Sequence, residues 1–321
     1  MLLLCGFTLY ALLDVFVIPR EYRPAGEEAG ETANPVLWET GESAALLSGS
    51  GEAGTEEENG ADAEDGTAET EEETLSAAPE ITDSSYRDGK VSVTITTLRA
   101  YDTTVYAARV TLSEGESLKT ALAKDTYGKN VKDTTSEIAE ENGAILAVNG
   151  DFYGARNAGY VIRNGVLYRE KGAGNEDLVI WRDGSFSIVN EDEVSAETLL
   201  SEGAWQVLSF GPALVEEGEI AVDEKDEVGK AMASNPRTAL GILSDGSYLF
   251  VVSDGRTSES EGLSLYELAG ILKSLGAETA YNLDGGGSSS MVFLGKVVNN
   301  PTTGGNSIKE RSVSDIVYVG I

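Results

Sequence analysis

The composition of the chain changes abruptly near residue 80, and this change limits where a folded domain can lie. Residues 21–80 are rich in Glu, Gly, Ala, Ser and Thr, and they hold 18 acidic residues against a single base, Arg23. Such a segment buries too little apolar surface to offset the entropy lost on ordering. We therefore predict an acidic disordered linker over 21–80 and one folded domain over 81–321, which is long enough for a substantial core.

The segment before the linker, residues 1–20, is mostly apolar and is interrupted by Asp14. A membrane-spanning helix needs about 20 such residues. We predict an N-terminal membrane anchor or signal segment here, with a core helix as the alternative. Arg20 and Arg23 follow the run and no base precedes it, so the charge rule alone favours a cytoplasmic C-terminus unless the true start lies upstream.

Several classes of function are excluded by composition. A formal net charge of -32 argues against a nucleic-acid partner, because phosphates are neutralised by Lys and Arg. The chain has no histidine, which removes the Ser-His-Asp triad and the usual zinc sites. Cys5 is the only cysteine, so no intrachain disulfide can form. Catalysis must use carboxylates, Arg, Lys, Tyr, hydroxyls or a hard metal ion held by oxygen.

Beyond residue 81 the pattern is that of many short strands joined by tight turns. KVSVTITTL and TVYAARVTL alternate and are β-branched, as neighbouring strands are. Three further hairpins are predicted at Asn164-Gly165, Asp183-Gly184 and Asp245-Gly246. A short helix followed by the strand AILAV is predicted before residue 149.

The best-defined helix begins after Ser264, which forms an S-x-x-E capping box with Glu267, and ends at Gly276. The strand YLFVV precedes this helix and the strand ending in YNL follows it, which predicts a crossover with a parallel pair of strands. The predicted fold class is α+β or mixed α/β, with a mixed, hairpin-rich β-sheet, a βαβ crossover and flanking helices.

The stretch YNLDGGGSSSMV, residues 281–292, follows the crossover and places one carboxylate before a loop of glycines and serines. Ligands usually bind at the carboxyl ends of strands in α/β sheets. Glycines let backbone amides approach a ligand and line a cavity for an anion. Asp284 is therefore a candidate nucleophile, general acid or metal ligand, although the glycines by themselves are equally typical of a tight turn.

Three other strand boundaries carry polar residues. NGDFYG presents Asn149 and Asp151, NPRTALG sends Arg237 into a strand, and SDGRT places Asp254 at the end of the strand before the helix. Arginine can bind a phosphate or carboxylate through two hydrogen bonds, although a lone arginine is more often part of an ordinary ion pair. We expect Asp254 and Asp284 to lie at one sheet edge, as a pair of carboxylates for glycosyl chemistry.

These stretches together resemble the phosphodiester glycosidase domain family. The resemblance is carried by NGDFYG, SFGPALVEEG, NPRTALGI, VVSDGR, the block LSLYELAGILKSLGAETAYNLDGGGSSSM and the closing ERSVSDIVYV, in the order of the family, and it covers most of residues 90–321. It implies hydrolysis of a sugar-phosphate diester at the glycosidic side. One departure is Asp315, where relatives often carry a small polar residue.

The resemblance also implies a set of site residues and their roles. Arg237 and the amides of the glycine loop would hold the phosphate, one of Asp284 and Asp254 would act at the anomeric carbon, and Arg311 would assist the anion or orient a carboxylate. The predicted catalytic residues are Asp284, Asp254 and Arg237. The predicted substrate-binding residues are Asn149, Asp151, Phe152, Thr238, Gly285, Gly286, Gly287, Ser288, Ser289 and Arg311.

The leading hypothesis is therefore a hydrolase acting on a sugar-1-phosphate diester, such as an N-acetylglucosamine phosphodiester glycan, at the cell envelope. The domain would be extracellular on a single N-terminal anchor, or secreted if the segment is cleaved. The alternatives are a non-catalytic carbohydrate-binding or exopolysaccharide-assembly protein, and a metal-dependent phosphodiesterase. No cofactor is required by the sequence, but Asp151, Asp254 and Asp284 could supply oxygen ligands to Ca²⁺ or Mg²⁺.

Overall fold

The structure, a computed structural model, describes residues 20–21, 78–224, 234–303 and 307–320. The predicted anchor and linker lie outside these residues, except for Arg20, Glu21 and residues 78–80. Among the helices of the described residues, none is long and apolar enough to cross a bilayer.

Strands dominate the described part of the chain, with three short α-helices between them. The helices are α1 (Thr135–Glu141), α2 (Ala196–Ser201) and α3 (Leu265–Ser274). The strands are β1 (Arg20–Glu21), β2 (Glu80–Ile81), β3 (Ser85–Arg87), β4 (Val91–Ala100), β5 (Thr103–Leu112), β6 (Lys119–Leu122), β7 (Gly128–Lys129), β8 (Ala144–Asn149), β9 (Val161–Arg163), β10 (Val166–Arg169), β11 (Glu176–Trp181), β12 (Phe186–Asn190), β13 (Ala204–Leu208), β14 (Ala213–Glu216), β15 (Glu219–Ile220), β16 (Thr238–Leu243), β17 (Tyr248–Ser253), β18 (Ala277–Asn282), β19 (Met291–Phe293), β20 (Lys296–Val297), β21 (Thr302–Thr303), β22 (Ser307–Ile308) and β23 (Asp315–Gly320).

Three larger sheets organise these strands. The largest has nine strands in the order β15-β14-β18-β16-β17-β5-β4-β3-β2. Two five-stranded sheets have the orders β10-β9-β13-β11-β12 and β20-β19-β8-β23-β6, and β1-β7 and β21-β22 form two-stranded ribbons. The start of β4, Val91–Ile95, alternates buried and more exposed residues, whereas all six residues of β17 are buried.

The predicted hairpins are confirmed. The β9–β10 pair turns at Asn164 and Gly165, both of which have positive φ (50° and 74°), as a type I′ turn requires. Strands β11 and β12 pair around Asp183-Gly184, and β16 and β17 pair around Asp245-Gly246. Local turn chemistry is thus sufficient to fix these pairings.

The helix predicted after Ser264 is confirmed as α3, with both hydrogen bonds of the capping box formed by Ser264 and Glu267. Its buried residues lie at helical spacing and face the nine-stranded sheet: Leu265, Leu268, Ala269, Ile271 and Leu272. Gly276 ends the helix region with φ of 88°, a conformation that costs glycine little.

The predicted parallel pair, and with it the predicted fold class, is wrong. Strands β17 and β18 are joined across α3, but β16 lies between them and pairs antiparallel with both. Every ladder among the described residues is antiparallel. The fold is therefore sheet-rich, not α+β or mixed α/β. A strand–helix–strand pattern identifies a crossover but does not specify which strand the crossover passes over.

Two sheets meet where the site lies. Strand β18 ends at Asn282 beside the start of β16, with Ala239 opposite Asn282. Strand β8, in the neighbouring five-stranded sheet, ends at Asn149. The Asn149 amide donates to the backbone oxygen of Asp284 at 2.7 Å, and its oxygen accepts from the Thr238 hydroxyl at 2.8 Å. Asn149 thus joins the two sheets directly beneath the glycine loop.

Candidate functional site

A cavity of about 360 Å³ opens at this junction. Among the residues that the structure describes, its lining combines one carboxylate with three guanidinium groups, amide side chains and one aromatic ring. The lining residues are Phe210, Asn235, Arg237, Arg256, Asn282, Leu283, Asp284, Gly285, Gly286 and Arg311. The cavity therefore contains Arg237, Asp284, Gly285, Gly286 and Arg311 of the residues predicted from the sequence.

The three positions after Asp284 favour glycine, because a Cβ atom at each would lie close to atoms of neighbouring segments. Gly286 has φ of 64°, and a Cβ there would lie 2.9 Å from the Arg256 Nη2 atom. A Cβ on Gly287 would lie 2.8 Å from the Thr303 hydroxyl, and one on Gly285 would lie 3.0 Å from the Pro236 oxygen. The loop is consequently packed against three neighbouring segments, at Pro236, Arg256 and Thr303.

The amides of this loop are mostly occupied by the protein. The Gly286 amide donates to the Pro236 oxygen at 2.8 Å, and the amides of Ser288 and Ser289 close a short 3₁₀ turn over Gly286–Ser288. Of the three glycine amides that the sequence suggested for a phosphate, that of Gly286 is thus already bonded to the protein. The cationic side chains around the loop supply the positive charge instead.

Asp284 lies at the inner wall of the cavity. Its Oδ2 accepts from the Ser288 hydroxyl at 2.5 Å and lies 3.5 Å from the Arg311 Nη2. Burial raises the pKa of Asp284 above its ordinary value, while Arg311, the Ser288 hydroxyl, the Gly285 amide and Arg156 oppose this rise. Asp284 is thus a buried carboxyl group whose ionised form is stabilised by nearby hydrogen-bond donors and positive charges.

Arg311 holds this arrangement together. Its Nε and Nη2 donate to the Ser288 hydroxyl at 3.0 and 2.8 Å, and its Nη2 also donates to the Gly285 oxygen at 2.9 Å. The Arg311 side chain is 44% exposed, so part of it faces solvent. The structure brings Arg311, Ser288 and Asp284 into one hydrogen-bonded group, which orients the carboxylate.

Further positive charge surrounds the cavity. Arg156 lies with its guanidinium carbon 5.0 Å from the centre of the Phe210 ring, and its charge acts on Asp284. Burial lowers the pKa of Lys132, with the nearby charge of Arg311 lowering it further and that of Asp284 opposing both. Lys132 is therefore another cation close to Arg311 and Asp284.

Asp151 is directed away from the cavity. Its carboxylate binds the buried Arg163 at 2.8 Å and accepts the Ser209 amide at 3.0 Å. Arg163 also binds Asp315 at 2.8 Å, and all three side chains are nearly inaccessible to solvent. Asp315, the departure from the resembled family, thus belongs to this buried cluster of three charged side chains. Phe152, the neighbour of Asp151, is exposed.

Asp254 follows β17 at the same sheet edge as Asp284, because β17 and β18 run in the same direction on either side of β16. It accepts the Asn300 amide groups at 2.7 Å (backbone) and 3.0 Å (side chain), and the Tyr106 hydroxyl lies 3.4 Å from its Oδ2. Asp254 does not line the cavity that contains Asp284.

Ser289 is buried and its hydroxyl has no hydrogen-bond partner among the described residues.

The three carboxylates considered as metal ligands are not gathered together. Among residues 78–224, 234–303 and 307–320, no group of three or more acidic or cysteine side chains is arranged to hold a metal ion. Asp151 and Asp254 have the protein partners described above, and Asp284 alone faces the cavity.

Sequence reasoning missed Arg256, Asn235, Asn282, Phe210 and Lys132. Four of them stand inside motifs that were already singled out: Arg256 in SDGRT, Asn235 in NPRTALG, Asn282 in YNLDGGG and Phe210 in SFGPALVEEG. Their closeness in sequence to predicted site residues is the signal by which they could be found. Lys132 has no such signal, because only tertiary packing brings it near Arg311.

The chain is similar in sequence to known proteins. A model of the phosphodiester glycosidase family matches residues 142–320. A prophage-derived uncharacterized protein of Bacillus subtilis, YomE, is 31% identical over 201 residues, which cover 60% of this chain and 30% of that protein. The N-acetylglucosamine-1-phosphodiester alpha-N-acetylglucosaminidase of the mouse is 30% identical over 184 residues, covering 53% of this chain and 35% of the enzyme. The match thus spans about a third of each relative.

Solved structures share the fold. The catalytic domain of the zebrafish enzyme of the same name, auto-inhibited by its pro-peptide, superposes with a TM-score of 0.57 at 21% identity, over 72% of this chain and 83% of that one. A putative exported protein of Burkholderia pseudomallei superposes with a TM-score of 0.50 at 17% identity, over 67% of this chain and 74% of that one.

Proposed function

Because this chain belongs to the phosphodiester glycosidase family, we propose that it hydrolyses the glycosidic bond of a sugar-1-phosphate diester. The bond between the anomeric carbon and the phosphate oxygen breaks, and the water oxygen becomes the anomeric hydroxyl of a free reducing sugar. The phosphate departs as a phosphomonoester that keeps the aglycone. The proton lost by water is taken by the protein or by solvent.

One observation carries the proposal: a cationic cavity in an acidic chain. The net charge of the chain is -32, yet the described residues that line the cavity include Arg237, Arg256 and Arg311 and one carboxylate, Asp284. Such a local reversal of charge attracts an anionic ligand. A phosphodiester carries the single negative charge and the oxygen acceptors that guanidinium groups bind best.

The leaving group explains why one carboxylate is sufficient. Ordinary glycosidases use two carboxyl groups, one of which protonates the departing oxygen. A phosphomonoester is already a stable anion, and neighbouring guanidinium groups stabilise the charge that develops on it. The location of Asp254 outside the cavity is therefore compatible with glycosidic cleavage.

Asp284 supplies the carboxylate that acts at the anomeric carbon. Arg311 and Ser288 both bind its Oδ2 and fix its orientation. The ionised form is the active one, because only it can attack the anomeric carbon or accept a proton from water. Burial raises the pKa of Asp284. As the pH falls, activity should therefore be lost at a higher pH than it would be with an exposed aspartate.

We place the reaction at the cell envelope, on a glycan that contains such a linkage, with residues 81–321 as the unit that acts. The acidic segment 21–80 separates this unit from residues 1–20 in the chain. Protease treatment of intact cells tests the location: an accessible domain is degraded, whereas one inside the cell is protected.

The function is tested with the purified chain and a panel of sugar-1-phospho-alkyl diesters. Free reducing sugar and phosphomonoester are measured separately. Asp284→Asn should reduce kcat by at least about a hundredfold, the usual scale for loss of a catalytic acid or base. The matched control is Asp245→Asn, an exposed aspartate in the β16–β17 turn, which should retain activity. Equal activity in the two variants would refute the role of Asp284.

A further inference from the structure

We propose that Arg256, oriented by Asn235, binds the phosphate of the substrate and makes the enzyme selective for phosphodiesters over neutral glycosides. The inference rests on the proposed function and deepens it. Neither Arg256 nor Asn235 is among the site residues predicted from the sequence.

The guanidinium of Arg256 is held by a neutral partner. Its Nε and Nη2 donate to the Asn235 side-chain oxygen at 3.2 and 2.9 Å. Arginine has five N–H bonds, so the Nη1 group and one further N–H remain for a ligand. Among the residues that the structure describes, no carboxylate forms an ion pair with Arg256. The orientation of the Arg256 guanidinium is thus fixed by a neutral group, the Asn235 side-chain oxygen.

The backbone conformation of Arg256 and the absence of a side chain at Gly286 allow the guanidinium to lie beside the glycine loop. Arg256 has φ of 61°, in the left-handed region that non-glycine residues seldom occupy. The facing residue, Gly286, has no side chain, and a Cβ there would lie 2.9 Å from the Arg256 Nη2. The guanidinium therefore lies against the glycine loop next to Asp284, in a space that any other residue at position 286 would reduce.

The backbone of Asn235 is held by hydrogen bonds and close packing. Its backbone pairs with Leu263 in a β-bridge, through hydrogen bonds of 3.2 and 2.9 Å. Gly262 packs so closely that a Cβ there would lie 2.5 Å from the Asn235 carbonyl carbon. The same bridge supports the second arginine, because the Arg237 Nε donates to the Leu263 oxygen at 2.8 Å.

The Asn235–Leu263 bridge thus carries two guanidinium groups that line one cavity. Arg237 is attached through the Leu263 backbone, and Arg256 through the Asn235 side chain. Two arginines on a common rigid support can bind separate oxygens of one phosphate, which is a geometry that favours phosphate over a neutral group. Arg311, by contrast, is directed mainly at Ser288 and the glycine loop.

The test compares two substrates with the same sugar, a sugar-1-phospho-alkyl diester and a neutral nitrophenyl glycoside, on the full chain. Arg256→Gln should raise KM for the diester at least about tenfold, the usual effect of losing a hydrogen bond between charged groups. Its effect on kcat/KM for the neutral glycoside should stay within about twofold. Arg109→Gln, at an exposed arginine on β5, is the matched control. Equal losses on both substrates would overturn the proposal.

A binding experiment separates this inference from the proposed function. Titration calorimetry with a short alkyl phosphate measures affinity without turnover. Arg256→Gln should weaken binding at least about tenfold and reduce its dependence on salt. Unchanged affinity would refute the role of Arg256, whether or not the chain turns over any diester. Weakened affinity in a chain that turns over nothing would support Arg256 and refute hydrolysis.

Asn235 acts through Arg256 and is therefore a positioning residue. Asn235→Ala should weaken alkyl phosphate binding in the wild-type chain but have no further effect in Arg256→Gln. Additive losses in the double variant would show that Asn235 acts independently of Arg256.

Discussion

A buried carboxyl group on β11 should lower the stability of the folded state as the pH rises. Asp177, on β11, is inaccessible to solvent. Burial raises its pKa from 3.8 to about 9, with the nearby negative charge of Glu191 as the next cause. Asp177 is therefore protonated in the folded protein at neutral pH but ionised in the unfolded chain.

This difference destabilises the folded state as pH rises. Below pH 3.8 the group is protonated in both states and the free energy of unfolding is unaffected. Each pH unit above that value costs about 1.4 kcal/mol until the folded pKa is reached. The cost is about 2 kcal/mol at pH 5 and about 4 kcal/mol at pH 7.

Asp177→Asn removes the titration while keeping the size and shape of the side chain. The free energy of unfolding of the variant, relative to the wild type, should therefore rise by about 1.4 kcal/mol per pH unit between pH 5 and pH 8. Urea denaturation followed by tryptophan fluorescence measures it. A constant offset from altered packing would not change the slope.

The control is Asp245→Asn, since hydrogen bonds from Ser247 and the neighbouring Arg109 lower the pKa of Asp245. That carboxyl group is ionised in both states above pH 5, so its variant should show no such slope. A flat difference for Asp177→Asn would refute the assignment of a protonated carboxyl group at this position.

Two further predictions concern the site and its support. Arg163→Ala leaves the carboxylates of Asp151 and Asp315 buried without their partner and should lower the free energy of unfolding by about 3–5 kcal/mol; a loss below about 1 kcal/mol in urea denaturation would contradict the buried ion pair. Ser288→Ala removes a donor that lowers the pKa of Asp284, so the acid limb of the pH profile of kcat/KM should move to higher pH. An unmoved or downward-shifted limb would show that Asp284 does not govern this ionisation.

The sequence was sufficient for features that depend on neighbours in the chain. The capping box of Ser264 and Glu267 and the turn at Asn164-Gly165 depend on hydrogen bonds and backbone angles within a few residues. The same is true of the placement of Asp284 after a strand. These features were predicted because no tertiary contact was needed to specify them.

The arrangement of carboxylates could not be predicted, because it depends on strand order. Asp254 follows β17 and Asp284 follows β18, and we expected the two strands to be adjacent. Strand β16 lies between them, and two strand spacings separate the ends by roughly 10 Å. Asp151 was misjudged for a similar reason, since its partner Arg163 comes from another sheet. The sequence contains no signal for that pairing.

The most direct test of the central claim is the fate of the water oxygen. The purified chain is given a sugar-1-phospho-alkyl diester in water enriched in ¹⁸O, and both products are analysed by mass spectrometry. Cleavage at the anomeric carbon places ¹⁸O in the reducing sugar and leaves the phosphomonoester unlabelled. Label in the phosphate, with sugar-1-phosphate or free alcohol as the partner product, would show cleavage at phosphorus and contradict the proposed reaction.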